Sequence, residues 1–217
     1  MLKADLHVHT EYSIDCNTPL TEIIARCQER DINCLAISDH GTIEGALKMQ
    51  KIAPFPVIIA EEILTPRGEI MGVFLKEGIP SGLSVSETIS RIRAQNALVL
   101  IPHPFDMFRP SALDNEALEE LRVQGQIDAI EVFNSRTPLY RSSTKAKAFA
   151  RKHGIPGSAG SDAHTPYEIG NAYVEMPEFS GRDDFLEALA QGKIFGYRTN
   201  PLTHINSIWA RLKSSLR

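Results

Sequence analysis

The pentapeptide Asp5-Leu6-His7-Val8-His9 follows a short apolar stretch near the start of the chain. Since side chains at positions i and i+2 of a strand point to the same side, His7 and His9 present two imidazoles to one place. Far downstream, Asp162-Ala163-His164 follows another apolar stretch and presents a carboxylate and an imidazole in the same way. Both patterns are typical of divalent metal sites. They can share ions only if the fold gathers the ends of distant strands into one pocket.

The composition indicates a single domain over residues 1–217, because 217 residues with 42% hydrophobic content bury one sizeable core. The net charge of −4 with interspersed signs gives no basic stripe, so we do not expect binding of duplex nucleic acid by surface charge. No apolar stretch resembles a signal peptide or spans a bilayer, which argues against a membrane partner. A cytoplasmic location is expected, since the odd set of cysteines suits a reducing compartment: Cys16, Cys27 and Cys34.

Short apolar runs alternate with amphipathic segments, as expected of βα units around a parallel sheet. The pattern predicts seven main strands, near residues 4–9, 34–38, 57–63, 98–101, 128–133, 156–161 and 171–175. It predicts helices over residues 18–29, from 84 or 86 to 95, and over 115–124, 143–152 and 183–191. Residues 64–75 are expected to form a hairpin on the third strand, and the end from residue 205 is expected to be an amphipathic helix.

Potential metal ligands follow the successive apolar runs. In chain order they are His7 and His9, Asp39-His40, Glu61-Glu62, His103, Asn134, and Asp162 with His164. Five of the seven histidines lie at these positions, and only His153 and His204 do not. Chemistry in parallel α/β folds collects at the carboxyl ends of the strands. The pattern therefore favours one shared site over scattered surface residues.

Each of these residues fits an ordinary structural role when it is taken alone. A single His103 after a strand is more often a hydrogen-bonded loop residue, and Glu61 or Glu62 alone is most simply a solvated charge. The His-x-His and Asp-x-His pairs are costly to bury without a cation, and they make a metal site the favoured interpretation. Asp5 and Asp39 each precede a histidine and are expected to support turns or ligands. Asp15 is equally compatible with an ordinary loop.

The motifs, in this order, resemble those of the PHP (polymerase and histidinol phosphatase) family of metal-dependent phosphoesterases. The resemblance covers nearly the whole chain and rests on His7-Val8-His9, Ser38-Asp39-His40, Ala60-Glu61-Glu62-Ile63, Pro102-His103-Pro104 and Gly160-Ser161-Asp162-Ala163-His164. It implies an α/β fold, namely a distorted seven-stranded (β/α)7 TIM-like barrel. It also implies a two- or three-metal cluster at the carboxyl face of that barrel, in a stand-alone phosphoesterase.

The resemblance further implies a ligand set. One ion would be held by His7, His9, Glu62 and Asp162, a second by Asp15, His40 and His164, and a third by Glu62, His103 and Asn134. Glu62 is preferred to Glu61 because the following Ile63 fits the family's glutamate-apolar pattern. Asn134 departs from the histidine or cysteine that many members carry there, and a neutral amide is a weaker ligand. A resting state with two metals is therefore an alternative.

Imidazole and carboxylate ligands without thiolate suit Mn²⁺, Zn²⁺ or Fe²⁺, and such ions attract phosphate even in an acidic protein. We hypothesise that a hydroxide bridging two ions attacks phosphorus in line. Arg136 and Arg109 are candidates for holding phosphate oxygens, with an ordinary surface charge as the alternative for each. A small phosphorylated substrate is expected, such as a phosphomonoester, a nucleotide or a short oligonucleotide end. The sequence assigns no general acid and no oligomeric state.

Two other functions compete with hydrolysis of a phosphoester. An amidohydrolase-type barrel also begins with His-x-His, but it usually needs a lysine at a mid-barrel strand end, where this chain carries Glu62 and His103. Assays on amide or lactone substrates would distinguish it. A metal-loaded but non-catalytic PHP module that binds a partner is the second alternative. Full metal occupancy without turnover of any phosphoester would favour it.

Overall fold

The computed structural model describes residues 1–200, so His204 and the helix predicted from residue 205 lie outside the described residues. Within residues 1–200 the strands are β1 (Leu2–Val8), β2 (Cys34–Ile37), β3 (Val57–Thr65), β4 (Gly68–Val73), β5 (Leu98–Ile101), β6 (Ala129–Asn134), β7 (Gly157–Gly160), β8 (Ala172–Met176) and β9 (Lys193–Gly196). The helices are α1 (Leu20–Glu29), α2 (Glu44–Ile52), α3 (Val85–Ala94), α4 (Asn115–Val123), α5 (Tyr140–His153) and α6 (Arg182–Ala190).

The strands form one sheet in the order β7-β6-β5-β4-β3-β2-β1-β8-β9. Parallel pairs join β1 to β2, β2 to β3, β5 to β6 and β6 to β7, whereas β4 is antiparallel to both of its neighbours, β3 and β5. Beyond β7 the chain returns to β1, where the Asp162 amide donates to the His7 carbonyl at 2.8 Å. The His9 amide likewise donates to the Ala163 carbonyl at 3.0 Å. Strands β1–β7 therefore form a nearly closed, distorted barrel, which confirms the predicted fold class.

One of the seven strands that form the barrel differs from the strand predicted from the sequence. The sequence counted residues 171–175 as the seventh strand, but β8 pairs antiparallel with the start of β1, where Leu2 lies opposite Met176. The first residues of β1 are free to pair with β8 because β7 has only four residues, and the chain after β7 contacts β1 only near the carboxyl end of β1. The hairpin strand β4 takes the remaining place in the ring, and β8 and β9 form an antiparallel extension.

Apolar side chains fill the inside of the barrel and the space between the sheet and its helices. The inner cluster includes Ala4, Leu6, Cys34, Ala36, Ala60, Met71, Val73, Leu98, Leu100 and Ala129, and it continues to Phe185 and Leu189 of α6. Two outer clusters pack the helices against the sheet, one on the side of α1 and α2 and the other on the side of α3, α4 and α5. Because the interior is packed, as in other barrels of this kind, a site must lie at an open end.

The helices agree with the predicted pattern except at their ends and in one omission. Ser84 caps α3, because its hydroxyl accepts the Glu87 amide at 3.2 Å. Helix α2 was not predicted, and α5 begins three residues before the predicted start at residue 143. The three cysteines are buried and free. Among residues 1–200, every helix is too short or too polar to cross a bilayer.

Candidate metal centre

The structure brings the residues of the predicted metal cluster together at the carboxyl end of the barrel. His7 lies in β1, with His9 just beyond it, His40 follows β2, Glu62 lies in β3, His103 follows β5, Asn134 ends β6, and Asp162 and His164 follow β7. Asp15 reaches the same place from the loop after β1. The metal-binding role of these residues remains a prediction, but their convergence in space is now established.

The first group joins the ends of β1, β3 and β7. The Nε2 atoms of His7 and His9 lie 3.2 Å apart. His9 Nε2 also lies 3.4 Å from Glu62 Oε2 and 3.4 Å from Asp162 Oδ1. All four side chains are buried. Two imidazole nitrogens and two carboxylates aimed at one point are the donor set expected around a transition-metal cation.

The second group also includes His9, together with Asp15, His40 and His164. Asp15 Oδ2 lies 3.1 Å from His164 Nε2 and 3.3 Å from His40 Nε2. The hydroxyl of Ser13 donates to the other oxygen of Asp15 at 2.9 Å and so fixes its orientation. Ligand atoms of His9, Asp15, His40 and His164 lie within 4.8 Å of one another, as do those of His7, His9 and Asp162. His9 is therefore shared between two places that could each hold an ion.

The third group contains a residue that the sequence did not reveal, Glu69 of β4. Its Oε2 lies 3.4 Å from His103 Nε2, and its Oε1 lies 3.7 Å from His40 Nδ1. Glu62 Oε1 lies 2.6 Å from the same His103 nitrogen. The one sequence feature that could have indicated Glu69 is the alternation of side chains along a strand. It puts Glu69 on the same face as Met71 and Val73, inside the barrel. That signal is weak, because a single charge in a hairpin looks like an exposed residue.

Asn134 lies beside the cluster, but its polar atoms are bound to protein groups. Its side-chain nitrogen donates to Glu131 Oε2 at 3.0 Å and to Asp162 Oδ2 at 3.2 Å. Its side-chain oxygen accepts the backbone amides of Arg136 at 2.9 Å and Thr137 at 3.2 Å. Asn134 thus orders the turn after β6 and supports two carboxylates.

Of the two neighbouring glutamates, Glu62 faces the cluster and Glu61 faces away from it. Glu61 Oε2 accepts the Ile79 amide at 2.8 Å on the outer side of β3. Burial raises the pKa of the Glu61 carboxyl to about 7. The alternating geometry of the strand therefore leaves only Glu62 in reach of the predicted ligands.

Buried carboxylates hold the backbone around the site. Asp5 accepts the amides of Ser161 at 2.8 Å and Gly170 at 3.0 Å, which ties β1 to the loop after β7. Asp39 accepts both the amide and the hydroxyl of Thr10, at 2.6 Å and 2.7 Å. These contacts agree with the supporting role expected of the two aspartates. They leave the neighbouring histidines free to turn toward the cluster.

Glu131 is a second functional residue that the sequence did not reveal. One carboxylate oxygen lies 3.2 Å from His7 Nδ1, and the other accepts the His103 amide at 2.7 Å. A carboxylate on the far nitrogen of a metal-binding histidine is a common support, because it fixes the ring and its tautomer. His103 and Asp162 also have positive φ angles, 30° and 55°, a strained conformation that the surrounding contacts hold in place. The only signal for Glu131 was its position between Ile130 and Val132.

The two candidate phosphate-binding arginines differ in position. Arg109 donates to Asp162 Oδ2 at the edge of the pocket, and its side chain is 19% exposed. Arg136 is buried, contacts His164 Nδ1, and lies 3.4 Å from Glu168 Oε1. Glu168 in turn accepts the His164 amide at 3.1 Å. Arg109 is thus partly accessible to solvent beside Asp162, whereas Arg136 is buried against His164.

The electrostatics of the cluster fit bound cations. Burial alone would raise the pKa values of Glu62 and Asp162, but neighbouring imidazoles hold the pKa of Glu62, and Arg109 with the imidazoles holds that of Asp162, well below the usual carboxyl range. Burial, together with the charge of His164, lowers the pKa of His9 to about 4, which leaves this imidazole neutral and able to bind a metal at pH 7. Burial raises the pKa of Glu69, and the charge of Glu62 adds to that effect.

The donor atoms also fit divalent ions. Within residues 1–200, His9 Nδ1, Asp162 Oδ1 and Glu69 Oε2 are buried atoms that make no hydrogen bond. Buried polar atoms are rarely left in this state, so cations bound in the cluster would remove a cost. Thiolate ligation does not apply, because burial raises the pKa of the nearby Cys16 thiol to about 12 and the thiol donates to the His164 carbonyl. The set suits ions that prefer imidazole and carboxylate ligands.

Comparisons with known proteins agree with this architecture. Residues 5–54 match the PHP domain and residues 141–194 match the family described as PHP-associated. An uncharacterized protein of Methanocaldococcus jannaschii, MJ0417, is 37% identical over 180 residues, which are 82% of this chain and 72% of that protein.

Two solved structures share the fold at 18% sequence identity. A two-domain protein from Bacteroides vulgatus, which contains a predicted PHP-like metal-dependent phosphoesterase, superposes with a TM-score of 0.73, and the match covers 90% of this chain and 65% of that one. An amidohydrolase from Chromobacterium violaceum, with bound sulfate and no metal, superposes with a TM-score of 0.64 over 89% of this chain and 97% of that one. Given the matched domains and the relative from M. jannaschii, the chain belongs to the PHP domain family.

Proposed function

We propose that this protein is a metal-dependent phosphoesterase that hydrolyses small phosphomonoesters with two or three divalent ions. The observation that carries the proposal is that His9 belongs to two groups of close ligand atoms at one end of the barrel. Ions bound in two groups that overlap at one residue would lie near each other, and paired ions are the usual device for displacing an alcohol from phosphate. Mn²⁺, Fe²⁺ and Zn²⁺ all suit the imidazole and carboxylate donors.

The protein's own residues have distinct roles in this proposal. His7, His9, Glu62 and Asp162 would hold one ion, and Asp15, His40 and His164 would hold another. When bound, divalent ions offset the charge of a phosphate and lower the pKa of water. Arg109, partly exposed beside Asp162, would donate to phosphate oxygens through its forked guanidinium. Arg136 is better described as a residue that positions His164.

Exposed apolar side chains near the candidate site support a substrate with a flat ring, such as a nucleotide. They lie in the loops after β1, β5, β6 and β7 or at the start of α5, and include Ile14, Met107, Phe108, Leu139, Tyr140 and Tyr167. These are the same loops that carry Asp15, Arg109, Arg136 and His164. Aromatic side chains stack on nucleobases without regard to their sequence. A nucleoside monophosphate would place its phosphate at the cluster and its base against this rim.

The test is a phosphatase panel supplemented with Mn²⁺, with metal content measured on the same sample. AMP and ribose 5-phosphate form the key pair, because they share the reacting group and differ in the base. We expect hydrolysis of both, with a higher kcat/KM for AMP. His9→Ala should abolish turnover, whereas the control His153→Ala, a histidine at the end of α5, should not. No turnover on any phosphoester at full metal occupancy would support the non-catalytic binding module instead.

The structural similarity to the amidohydrolase from Chromobacterium violaceum is a reason to test the second enzymatic function, hydrolysis of an amide or lactone, as well. Amide and lactone substrates should be tested on the same metal-loaded sample. We expect no turnover of them, because Glu62 and His103 lie where that type of barrel usually has a bridging lysine. Hydrolysis of an amide or lactone without hydrolysis of any phosphoester would reverse the proposal.

A further inference from the structure

The hairpin strand β4 brings a second buried glutamate to the candidate metal centre, next to Glu62. We infer that Glu69, and not Asn134, completes the third ion site together with Glu62 and His103. The inference rests on the proposed metal centre, and it concerns metal binding only. It replaces the residue that the family resemblance placed on this ion.

Asn134 is unsuited to the role because its carbonyl oxygen is already saturated. An amide oxygen has two lone pairs, and here it accepts two backbone amides, those of Arg136 and Thr137. Binding an ion through this oxygen would break at least one of these hydrogen bonds. The side-chain nitrogen is equally committed, since it donates to Glu131 and Asp162. Asn134 therefore serves as a fixed support for the carboxylates.

Glu69 has the geometry that Asn134 lacks. Its two oxygens lie 3.4 Å from His103 Nε2 and 3.7 Å from His40 Nδ1. Ligand atoms of Glu69, Glu62 and His40 come within 4.8 Å of one another. Within residues 1–200, Glu69 Oε2 is buried and accepts no hydrogen bond. A buried carboxylate with an oxygen that accepts no hydrogen bond, beside a second carboxylate, is costly unless a cation joins the two.

The position of Glu69 is fixed by its backbone. Its amide donates to the Ser111 carbonyl at 2.8 Å, which ties the start of β4 to the loop that carries Arg109. The turn before it is held by Arg67, whose guanidinium pairs with Asp114 at 2.8 Å. The Glu69 carboxylate is thus held at the cluster by elements on both sides. This is the preorganisation that a metal ligand requires.

The exchange of ligands changes the metal preference of the third site. Two carboxylates and one imidazole form a harder, more negative donor set than a carboxylate, an imidazole and an amide. Carboxylate-rich sites favour Mn²⁺ or Mg²⁺, and histidine-rich sites favour Zn²⁺. The third site should therefore discriminate less strongly against Mn²⁺ relative to Zn²⁺ than the histidine-rich sites around His9 do.

The experiment counts bound ions by mass spectrometry after the metal-free chain of residues 1–217 has been loaded with Mn²⁺ and desalted. We expect three Mn²⁺ per chain in the wild type, two in Glu69→Gln, and three in Asn134→Ala. Glu61→Gln is the matched control, because it neutralises the neighbouring buried carboxylate that faces away from the cluster, and it should retain three. Glu69→His guards against a folding defect and should keep three sites, with the third now more selective for Zn²⁺ over Mn²⁺ than in the wild type.

Three results would overturn the inference. They are a wild type that saturates at two ions, an Asn134→Ala variant that loses the ion while Glu69→Gln keeps it, and an equal loss in Glu61→Gln. Turnover plays no part in the readout. A chain that binds three ions and hydrolyses no phosphoester would refute the proposed function while leaving the role of Glu69 intact.

Discussion

Glu131 Oε1 lies 3.2 Å from His7 Nδ1, so a buried carboxylate of β6 holds an imidazole of β1 whose other nitrogen faces the candidate metal cluster. The same glutamate accepts the backbone amide of His103 through its second oxygen. One side chain therefore sets the orientation of a ligand and the backbone of another. Glu131 thus connects β6 both to β1 and to the loop after β5.

Glu131→Gln should weaken metal binding by about 10–100-fold, because supporting residues of metal ligands typically have effects of that size. Competition with a chelating dye measures the affinity. The fold should persist, since glutamine can still accept the His103 amide. An unchanged affinity would show that His7 is oriented without Glu131.

The arginines should separate substrate binding from metal binding. Arg109→Gln should raise KM by about 10–100-fold through the loss of a charge-assisted hydrogen bond to phosphate, with the ion count unchanged. Arg136→Gln should instead lower the occupancy of the ion held by His164, because the arginine contacts that imidazole. Equal effects of the two changes on KM, with full metal occupancy, would contradict these separate roles.

Gly160→Ala should destabilise the fold by about 1–3 kcal/mol, as overpacking does in closely packed regions. A Cβ at Gly160 would lie 2.7 Å from the His7 backbone nitrogen, at the seam where β7 meets β1. Gly78→Ala is the control, because its Cβ would meet only Glu61 at 3.8 Å. Urea unfolding measures both. Equal stability of the two variants would show that the seam tolerates displacement.

Asp114→Asn should reduce stability at pH 7 but not in acid. Asp114 caps α4 through the Ala117 amide, which asparagine preserves, and it pairs with Arg67, which asparagine does not. The hydrogen bond from Arg67 lowers the pKa of the Asp114 carboxyl below its ordinary value. Stability from a lowered carboxyl pKa is present above that ordinary value and is lost as the pH falls through the folded-state pKa.

Urea unfolding at several pH values tests this sign. The midpoints of wild type and Asp114→Asn should differ at pH 7 and converge only as the pH falls below the folded-state pKa of Asp114, which lies under the ordinary carboxyl value. Asp114→Ala, which also removes the cap, should cost about 1 kcal/mol more at every pH. If the unfolding midpoints of wild type and Asp114→Asn still differ in acid, the effect arises from the helix cap and not from the charge of Asp114.

The sequence predicted much of the site because histidines gathered at strand ends are conspicuous and are costly to bury unless they bind a cation. It missed Glu69 and Glu131, since a lone glutamate in a short apolar strand has the same local pattern as a solvent-exposed one. Only the barrel shows that their faces point inward. It also counted residues 171–175 in the ring in place of β4, because closure between β7 and β1 depends on hydrogen bonds between residues over 150 positions apart, such as Asp162 and His7.

Metal removal tests metal-dependent phosphoester hydrolysis most directly. The measurement is the rate of AMP hydrolysis by one sample before chelation, after chelation and after readdition of Mn²⁺, with circular dichroism and metal content recorded at each stage. We expect no turnover by the folded, metal-free chain and full recovery as His9 and its partners regain their ions. Unchanged turnover by a folded sample that contains no metal would contradict the proposed function.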